Sequence, residues 1–195
     1  RHDEAKATCH VILCHQAPEV IETVYNWHRS LSSKYKTVIA YGGSRENFGK
    51  INIDEKIFIE DPSLRGPSNQ MCHLELLEKA FYITERPRQT RFFFSEGDLV
   101  PLRTDYLDPA IEAMKGHDGA FLGKSIRNIT ASNNVFLTQA AKRGVATRIE
   151  TDQHGGSPQY FHCLGCFFGV DGAIMENMIE QGRLMKETYF EIMFP

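Results

Sequence analysis

Two carboxylates stand two positions apart in the sequence, at Glu96 and Asp98, with Gly97 between them. They follow the run at 91–94 (RFFF), whose three consecutive aromatic residues predict a strand buried on both faces. Two acidic side chains at the tip of a rigid strand suit Mg²⁺ or Mn²⁺, because these cations take oxygen ligands and bridge the oxygens of a diphosphate. We expect Gly97 to leave room for the substrate. The alternative is that Glu96 and Asp98 merely end the strand and solvate the turn.

Strands and helices alternate ahead of this acidic pair. The strands are predicted at 9–14, 37–41, 56–59 and 91–94. A helix beginning near Pro18 has its apolar stripe at Val20, Ile21, Val24, Trp27, His28 and Leu31, and a helix capped by Ser68 has its stripe at Leu74, Leu77, Ala80, Phe81 and Ile83. This order predicts an α/β fold with a mostly parallel central sheet, flanked by helices that form right-handed crossovers.

Further elements follow the acidic pair. A helix begins at Asp108 with Ile111 and Met114 facing inward. The other predictions are a strand at 119–123, a helix at 134–141, a polar loop at 151–158, one strand over 160–170 and a closing helix from about 171 to 185. No internal repeat or interdomain linker interrupts the sequence, so we predict a single domain over 1–195.

The residues that follow the predicted strands are polar and varied. Ligands of open parallel sheets bind outside the carboxyl ends of the strands, so these residues are the candidates for a binding site. They are His15 and Gln16 after the first strand, Gly42, Gly43 and Ser44 after the second, Glu60 and Asp61 after the third, and the acidic pair with Gly97 after the fourth. We expect all four groups to converge on one rim.

Composition limits the class of partner. Of the 195 residues, 42% are hydrophobic and 24% charged, as in ordinary globular proteins, and the formal net charge is −3. Scattered Lys and Arg residues with this balance argue against nucleic acid or an anionic membrane as the main partner. No apolar run reaches the roughly 20 residues of a transmembrane helix, so we expect a soluble fragment. Its ends look cut, and a targeting segment or anchor outside it would be compatible with this composition.

Five cysteines lie in apolar segments, at positions 9, 14, 72, 163 and 166. The odd number favours buried free thiols in a reducing compartment, hence a cytoplasmic protein. Zinc is the alternative, held by His162, Cys163 and Cys166 or by the Cys-His pairs at 9–10 and 14–15. Side chains alternate between the faces of a strand, which makes a tetrahedral site awkward in either segment.

Other nucleotide-binding classes lack their motifs here. The sequence contains neither G-x-x-x-x-G-K-[ST] nor G-x-G-x-x-G, which excludes a P-loop NTPase and a Rossmann oxidoreductase. The segment 14–18 (CHQAP) after the first strand has no glycine, whereas a nucleotidyltransferase would have a Gly-rich phosphate loop there.

The segment 92–102 (FFFSEGDLVPL) resembles the apolar-strand, Asp-x-Asp, apolar-Pro segment of GT-A glycosyltransferases, with Glu in the first acidic position. The order of elements over Ala7–Met114 is similar to that family too. The resemblance implies a Rossmann-like GT-A nucleotide-diphospho-sugar transferase fold. It implies a metal-dependent hexosyltransferase that moves a sugar from a UDP or GDP sugar to a hydroxyl of a glycan or other acceptor, with Mn²⁺ or Mg²⁺ as cofactor. The second strand ends in 41–44 (YGGS), where many relatives have acidic residues, so the mode of base binding differs.

The same resemblance implies roles for single residues. Gln16 and Asp61 would lie near the nucleobase and ribose, with Gly42 and Gly97 in the nucleotide-binding rim. Arg65 would approach the diphosphate, because its forked donors suit phosphate oxygens. The alternative for Arg65 is a solvated loop cation. The nucleotide-binding half would cover about 7–115 and the acceptor-side half about 116–195.

The acceptor-side half supplies the remaining candidates. The loop at 151–162 resembles one that closes over the sugar, and His154 or His162 would complete the metal shell of Glu96 and Asp98. For His162, a buried histidine hydrogen-bonded in the core is the competing interpretation. Asp98 and Glu191 are the catalytic candidates, Glu191 as the base of an inverting enzyme, with Glu187 and Asp152 as rivals. A retaining enzyme would not need that base, and the sequence does not distinguish the two.

A second class of function is open at this point. The chain could be a catalytically silent GT-A-like domain that binds a nucleotide or a glycan, or that supports an assembly. Binding of UDP or GDP that requires Mn²⁺ or Mg²⁺ distinguishes the enzyme from a purely structural domain.

Overall fold

The structure is a computed structural model that describes residues 6–60, 75, 78–115, 121–123, 126–130, 148–149, 159–163 and 167–184. Its strands are β1 Ala7–Cys14, β2 Lys36–Gly43, β3 Lys56–Glu60, β4 Thr90–Glu96, β5 Phe121–Gly123, β6 Ile126–Thr130, β7 Arg148–Ile149, β8 Gln159–Cys163 and β9 Phe167–Asp171. Its helices are α1 Pro18–Leu31, α2 Arg45–Lys50, α3 Asp108–Met114 and α4 Gly172–Leu184. A 3₁₀ turn spans Pro87–Gln89, and residues 75 and 78–82 are helical.

The main sheet has six strands in the order β3-β2-β1-β4-β9-β5. The four strands β3, β2, β1 and β4 run parallel, and β9 runs antiparallel to both of its neighbours. This confirms an α/β fold with a mostly parallel sheet flanked by helices. Parallel neighbours joined by a crossover helix, as β1 and β2 are joined by α1, follow from the alternating order of elements.

Strand β4 is central in the sheet. Phe92, Phe93 and Phe94 are fully buried, which confirms the prediction from the three consecutive aromatics. Phe92 and Phe94 pack into one core cluster with Met175 of α4, and Phe93 packs on the opposite face. Burying each ring stabilises the fold by roughly 1.5–3 kcal/mol. The strand that ends at the acidic pair is therefore rigidly held on both faces.

Helix α1 covers the face of the sheet opposite α4. Pro18 is its first residue, where the missing N–H has no intrahelical partner to lose, and Ile21 is buried against Ile12 and Ile39. The predicted stripe was too wide, since Val20 is 48% exposed and Trp27 is 43% exposed. Both lie on the flank of the helix because only a narrow face meets the sheet.

Several predicted elements need correction. The single strand predicted over 160–170 is two strands, β8 and β9, which belong to different sheets, and Gly165 falls between them. Glycine inside a strand pattern often marks such a break. The second sheet, antiparallel with the order β6-β8-β7, was not predicted. Ile83 is 42% exposed and lies just past the helical residues, so it does not belong to the apolar stripe.

Other predictions lie outside the described residues. These are Ser68, Leu74 and Leu77 of the helix before β4, the helix at 134–141 and the loop at 151–158. Within the described part of the chain, no helix is long and apolar enough to cross a membrane.

Candidate functional site

The carboxyl ends of β1, β2, β3 and β4 meet at one edge of the main sheet, here called the rim, because these strands are adjacent and parallel. The chain proceeds from β1 to β2 to β3 on one side, and then places β4 on the other side of β1. The order of strands therefore reverses between β1 and β4. In open α/β sheets a ligand crevice lies at such a switch point, outside the carboxyl ends of the strands.

Gly97 lies directly at this switch point. Its backbone N–H donates to the carbonyl of Leu13 over 2.8 Å, which joins the acidic segment to the end of β1. A Cβ atom on Gly97 would lie 2.9 Å from both Sγ of Cys14 and Oε1 of Gln16. A larger residue here would have to displace the side chain of Cys14 or Gln16, which favours glycine. The room that we expected for substrate at Gly97 is filled by Cys14 and Gln16.

The side chain of Gln16 is held in a defined orientation. Its Oε1 accepts a hydrogen bond from the backbone N–H of His15 over 3.0 Å. Its Nε2 would lie 3.3 Å from a Cβ on Gly97, so the amide group sits against the acidic segment. The amide group of Gln16 therefore lies beside Gly97, where β1 and β4 diverge, and its nitrogen is a hydrogen-bond donor.

Glu96 and Asp98 are exposed on either side of the buried Gly97. The backbone N–H of Leu99 donates to the carbonyl of Glu96 over 3.0 Å, so the chain turns immediately after the strand. The segment is extended up to Glu96, as predicted, and both carboxylates reach solvent at the rim.

The ends of β2 and β3 contribute an aromatic group, and β3 also ends in the exposed Glu60, whose Oε2 lies 3.6 Å from Nη2 of Arg45. The ring of Tyr41 folds over Gly43, where a Cβ would collide with the phenol, and it stacks on Phe58 at a centroid distance of 6.2 Å. Gly42 is buried and pairs with Ile59 of β3. Gly42 therefore forms part of the wall of the rim through its backbone.

Strand β1 contains two buried cysteines, Cys9 near its amino end and Cys14 at the rim. Cys9 and Cys14 are free and buried, as expected, and they belong to core clusters on opposite faces of the sheet. Burial raises the pKa of each thiol to about 12. Because the side chains of Cys9 and Cys14 lie on opposite faces of the sheet, they cannot bind the same zinc ion.

Several candidates from the sequence lie outside the described residues: Asp61, Arg65, Asp152, His154, Glu187 and Glu191. His162 lies in β8 of the second sheet, opposite Arg127, and its side chain is outside the described atoms. The structure thus brings together Gln16, Gly97 and the acidic pair, with Gly42 farther along the same rim.

The described part of the chain contains no cluster of three or more His, Cys, Asp or Glu side chains that could hold a metal ion without further ligands. The pair Glu96 and Asp98 fits another mode of binding. Mg²⁺ commonly takes one or two carboxylates and completes its shell with water and substrate phosphates. The exposed pair therefore suits a cation that arrives together with a diphosphate.

The sequence reasoning did not predict that three buried polar rings form one cluster. His10 in β1, His28 in α1 and Tyr106 before α3 pack their rings together directly beneath the rim, with His10 and His28 centroids 5.2 Å apart. Two signals were available: His10 stands in the middle of an apolar run, and His28 stands seven residues after Ile21 on the buried face of α1.

The described residues define an α/β protein with a candidate ligand crevice at the carboxyl edge of its main sheet. No protein-family model matches the sequence, and no curated protein matches it significantly. Among solved structures, the chain is similar to the apo form of the glycosyltransferase GlyE from Streptococcus pneumoniae TIGR4, at 13% identity and a TM-score of 0.38. The similarity covers 93% of this chain and 39% of GlyE, so this chain spans well under half of that protein's length. A TM-score this low does not establish a shared fold.

Proposed function

We propose that the chain binds a nucleoside-diphosphate sugar of the UDP or GDP type at the rim and transfers the sugar to an acceptor hydroxyl. The observation that carries the proposal is the position of the acidic pair. Glu96 and Asp98 are exposed at the switch point between β1 and β4, where the topology of an open α/β sheet forms its ligand crevice.

Mn²⁺ or Mg²⁺ would be held at this point by Glu96 and Asp98. When bound, the ion would act as a Lewis acid that neutralises charge on the departing diphosphate. Two carboxylates make a weak site by themselves, so we expect the cation and the diphosphate to bind cooperatively. Each should raise the affinity of the chain for the other by the same factor.

Gln16 would donate from its amide nitrogen to the nucleotide. Its side chain is already oriented by the N–H of His15, so little rotamer freedom is lost when the ligand binds. Glu191 is the proposed base that takes the acceptor proton if the reaction inverts.

The binding step can be tested by thermal unfolding with UDP, GDP and ADP, each with and without Mn²⁺. A nucleoside diphosphate at 100 times its Kd should stabilise the chain by about 2.7 kcal/mol, which is roughly 5–10 °C in Tm for a domain of this size. We expect this shift for UDP or GDP only when Mn²⁺ is present, and neither component alone should produce it.

Asp98→Asn removes one ligand charge while it keeps the shape of the side chain. It should abolish the metal-dependent part of the shift and leave the Tm of the free protein unchanged, since Asp98 is exposed. Asp54→Asn is the matched control, because Asp54 is an exposed carboxylate just before β3, at the opposite edge of the sheet. Equal shifts in wild type and Asp98→Asn would refute the role of the acidic pair.

Transfer itself needs a second assay. Release of nucleoside diphosphate from its sugar, in the presence of glycan acceptors, supports a transferase. Tight metal-dependent binding without turnover would instead support the catalytically silent GT-A-like binding domain.

A further inference from the structure

The loop that carries the acidic pair, residues 96–106, is attached to its surroundings at several points. The N–H of Gly97 donates to the carbonyl of Leu13 over 2.8 Å. In the middle of the loop, the carbonyl of Pro101 accepts a hydrogen bond from Nε1 of Trp27 over 2.7 Å. This loop, called the acidic loop below, is therefore docked on β1 and α1 instead of projecting freely.

His10 lies between the two ends of the acidic loop. It is fully buried in β1, with its Nε2 2.7 Å from Oγ of Ser95 and its Nδ1 2.7 Å from the phenol oxygen of Tyr106. Ser95 directly precedes Glu96, and Tyr106 is the last residue of the loop. One imidazole thus bonds both ends of the segment that carries the acidic pair.

The protonation states of these groups suit both bonds. Burial, followed by the nearby His28, lowers the pKa of His10 to about 3, and burial raises the pKa of Tyr106. A neutral imidazole has one N–H donor and one acceptor nitrogen, whereas the two hydroxyls can each donate or accept. Both contacts of His10 can therefore be hydrogen bonds at the same time.

The far end of the acidic loop shows that this docking is specific. Asp105 has a φ of 50°, a left-handed conformation that residues other than glycine adopt rarely. Its carboxylate accepts a hydrogen bond from Oγ of Ser32 over 3.2 Å and lies 3.2 Å from Nζ of Lys34. Both contacts attach this end of the loop to the segment that follows α1.

We propose that His10 is a positioning residue, which holds Ser95 and Tyr106 together so that the acidic loop presents Glu96 and Asp98 in one geometry. The benefit of this geometry for ligand binding rests on the proposed function. The docking of the loop is independent of the proposed function, and it can be measured without any ligand.

The test uses two hydroxyl deletions in the same strand. Ser95→Ala removes one partner of His10. Thr90→Val is the matched control, because Thr90 is also buried, lies at the opposite end of β4, and donates from Oγ1 to the carbonyl of Arg86 over 2.9 Å. Both changes remove one buried hydroxyl from β4, so a general loss of stability should appear in both.

The readout is the indole N–H of Trp27, the only tryptophan in the sequence, which bonds the middle of the acidic loop. Its single signal in a ¹H–¹⁵N correlation spectrum should move, and its exchange with water should become faster, in Ser95→Ala and in Tyr106→Phe. The signal should stay unchanged in Thr90→Val. The double variant Ser95→Ala/Tyr106→Phe should change the indole signal little more than either single variant does, since both substitutions act through His10.

Ligand affinity is measured in parallel by calorimetry with Mn²⁺ and UDP or GDP, at protein concentrations where every variant is folded. We expect Ser95→Ala to weaken binding about tenfold, as for the loss of one hydrogen bond of about 1.4 kcal/mol, and Thr90→Val to leave it unchanged. An unchanged indole signal in Ser95→Ala, or an equal change in Thr90→Val, would overturn the role of His10. If the wild-type protein binds no nucleoside diphosphate, the proposed function is refuted. If the indole signal of Trp27 nevertheless moves in Ser95→Ala, the anchoring role of His10 is still supported.

Discussion

The two edges of the main sheet differ in the burial of their charged residues. At the amino end of β4, Arg91 is buried with its Nε 3.5 Å from Oδ1 of Asp171, whose other oxygen lies 3.0 Å from Nζ of Lys6. At the carboxyl end of the same strand, Glu96 and Asp98 are exposed at the rim. The amino edge buries its ion pairs and thereby supports the fold, whereas the rim has its charged side chains at exposed positions, which a cation and a diphosphate can reach.

The largest effect is expected at the amino edge. Asp171→Asn removes the counter-charge of Arg91 and Lys6, and a buried ion pair broken in this way costs roughly 3–5 kcal/mol of unfolding free energy. Urea denaturation measures the loss. Glu176→Gln is the control, because its pair with Arg88 at 3.1 Å is partly exposed and should contribute less than about 1 kcal/mol. Similar losses in the two variants would mean that burial of the pair has no energetic consequence.

One glycine at each edge, Gly172 at the amino edge and Gly97 at the rim, allows the two edges to be compared by a smaller change in stability. A Cβ on Gly172 would collide with the backbone carbonyl of Pro87, whereas a Cβ on Gly97 would meet the side chains of Cys14 and Gln16. Gly172→Ala should cost about 1–3 kcal/mol of stability, because backbone cannot move aside cheaply. Gly97→Ala should cost less stability, since the amide of Gln16 can rotate away.

Ligand affinity should show the reverse order for these two variants. Gly97→Ala displaces Gln16 from the rim and should weaken nucleoside-diphosphate binding, whereas Gly172→Ala should leave the affinity of the folded protein unchanged. Thermal unfolding and calorimetry on the same samples measure both quantities. If Gly97→Ala binds as wild type does, Gln16 has no role in the site.

The buried cluster of His10, His28 and Tyr106 predicts an effect that depends on pH. The pKa of His10 is lowered from 6.5 to about 3 in the folded protein, so between these values the unfolded chain binds a proton that the folded chain does not. Stability should therefore rise with pH across this window and fall as pH decreases, by at most about 1.4 kcal/mol per pH unit from this group. Carboxylates add their own slope, so the measurement is the difference between wild type and His10→Asn in urea denaturation from pH 4 to 7, roughly the window set by these values. Equal slopes would show that His10 does not titrate in this way.

Much of the main sheet could be predicted from local pattern. The strands β1 to β4, helix α1 and the start of α3 at Asp108 follow from apolar runs, helical spacing and Pro at the first helical turns. The acidic pair was found because it interrupts an aromatic strand abruptly. The same reasoning misread 160–170 as one strand, because a continuous apolar run does not record that its two halves pair with different sheets.

Local patterning in the sequence by itself determined the strands β1 to β4, predicted that their sheet is mostly parallel, and placed two carboxylates at the tip of β4. Only the tertiary structure decided which side chains meet there. Cys14 and Gln16 fill the space beside Gly97, and His10 bonds residues 85 and 96 positions away. Such partners depend on strand order and loop docking, which arise from contacts distant in sequence and leave no periodic signal along the chain.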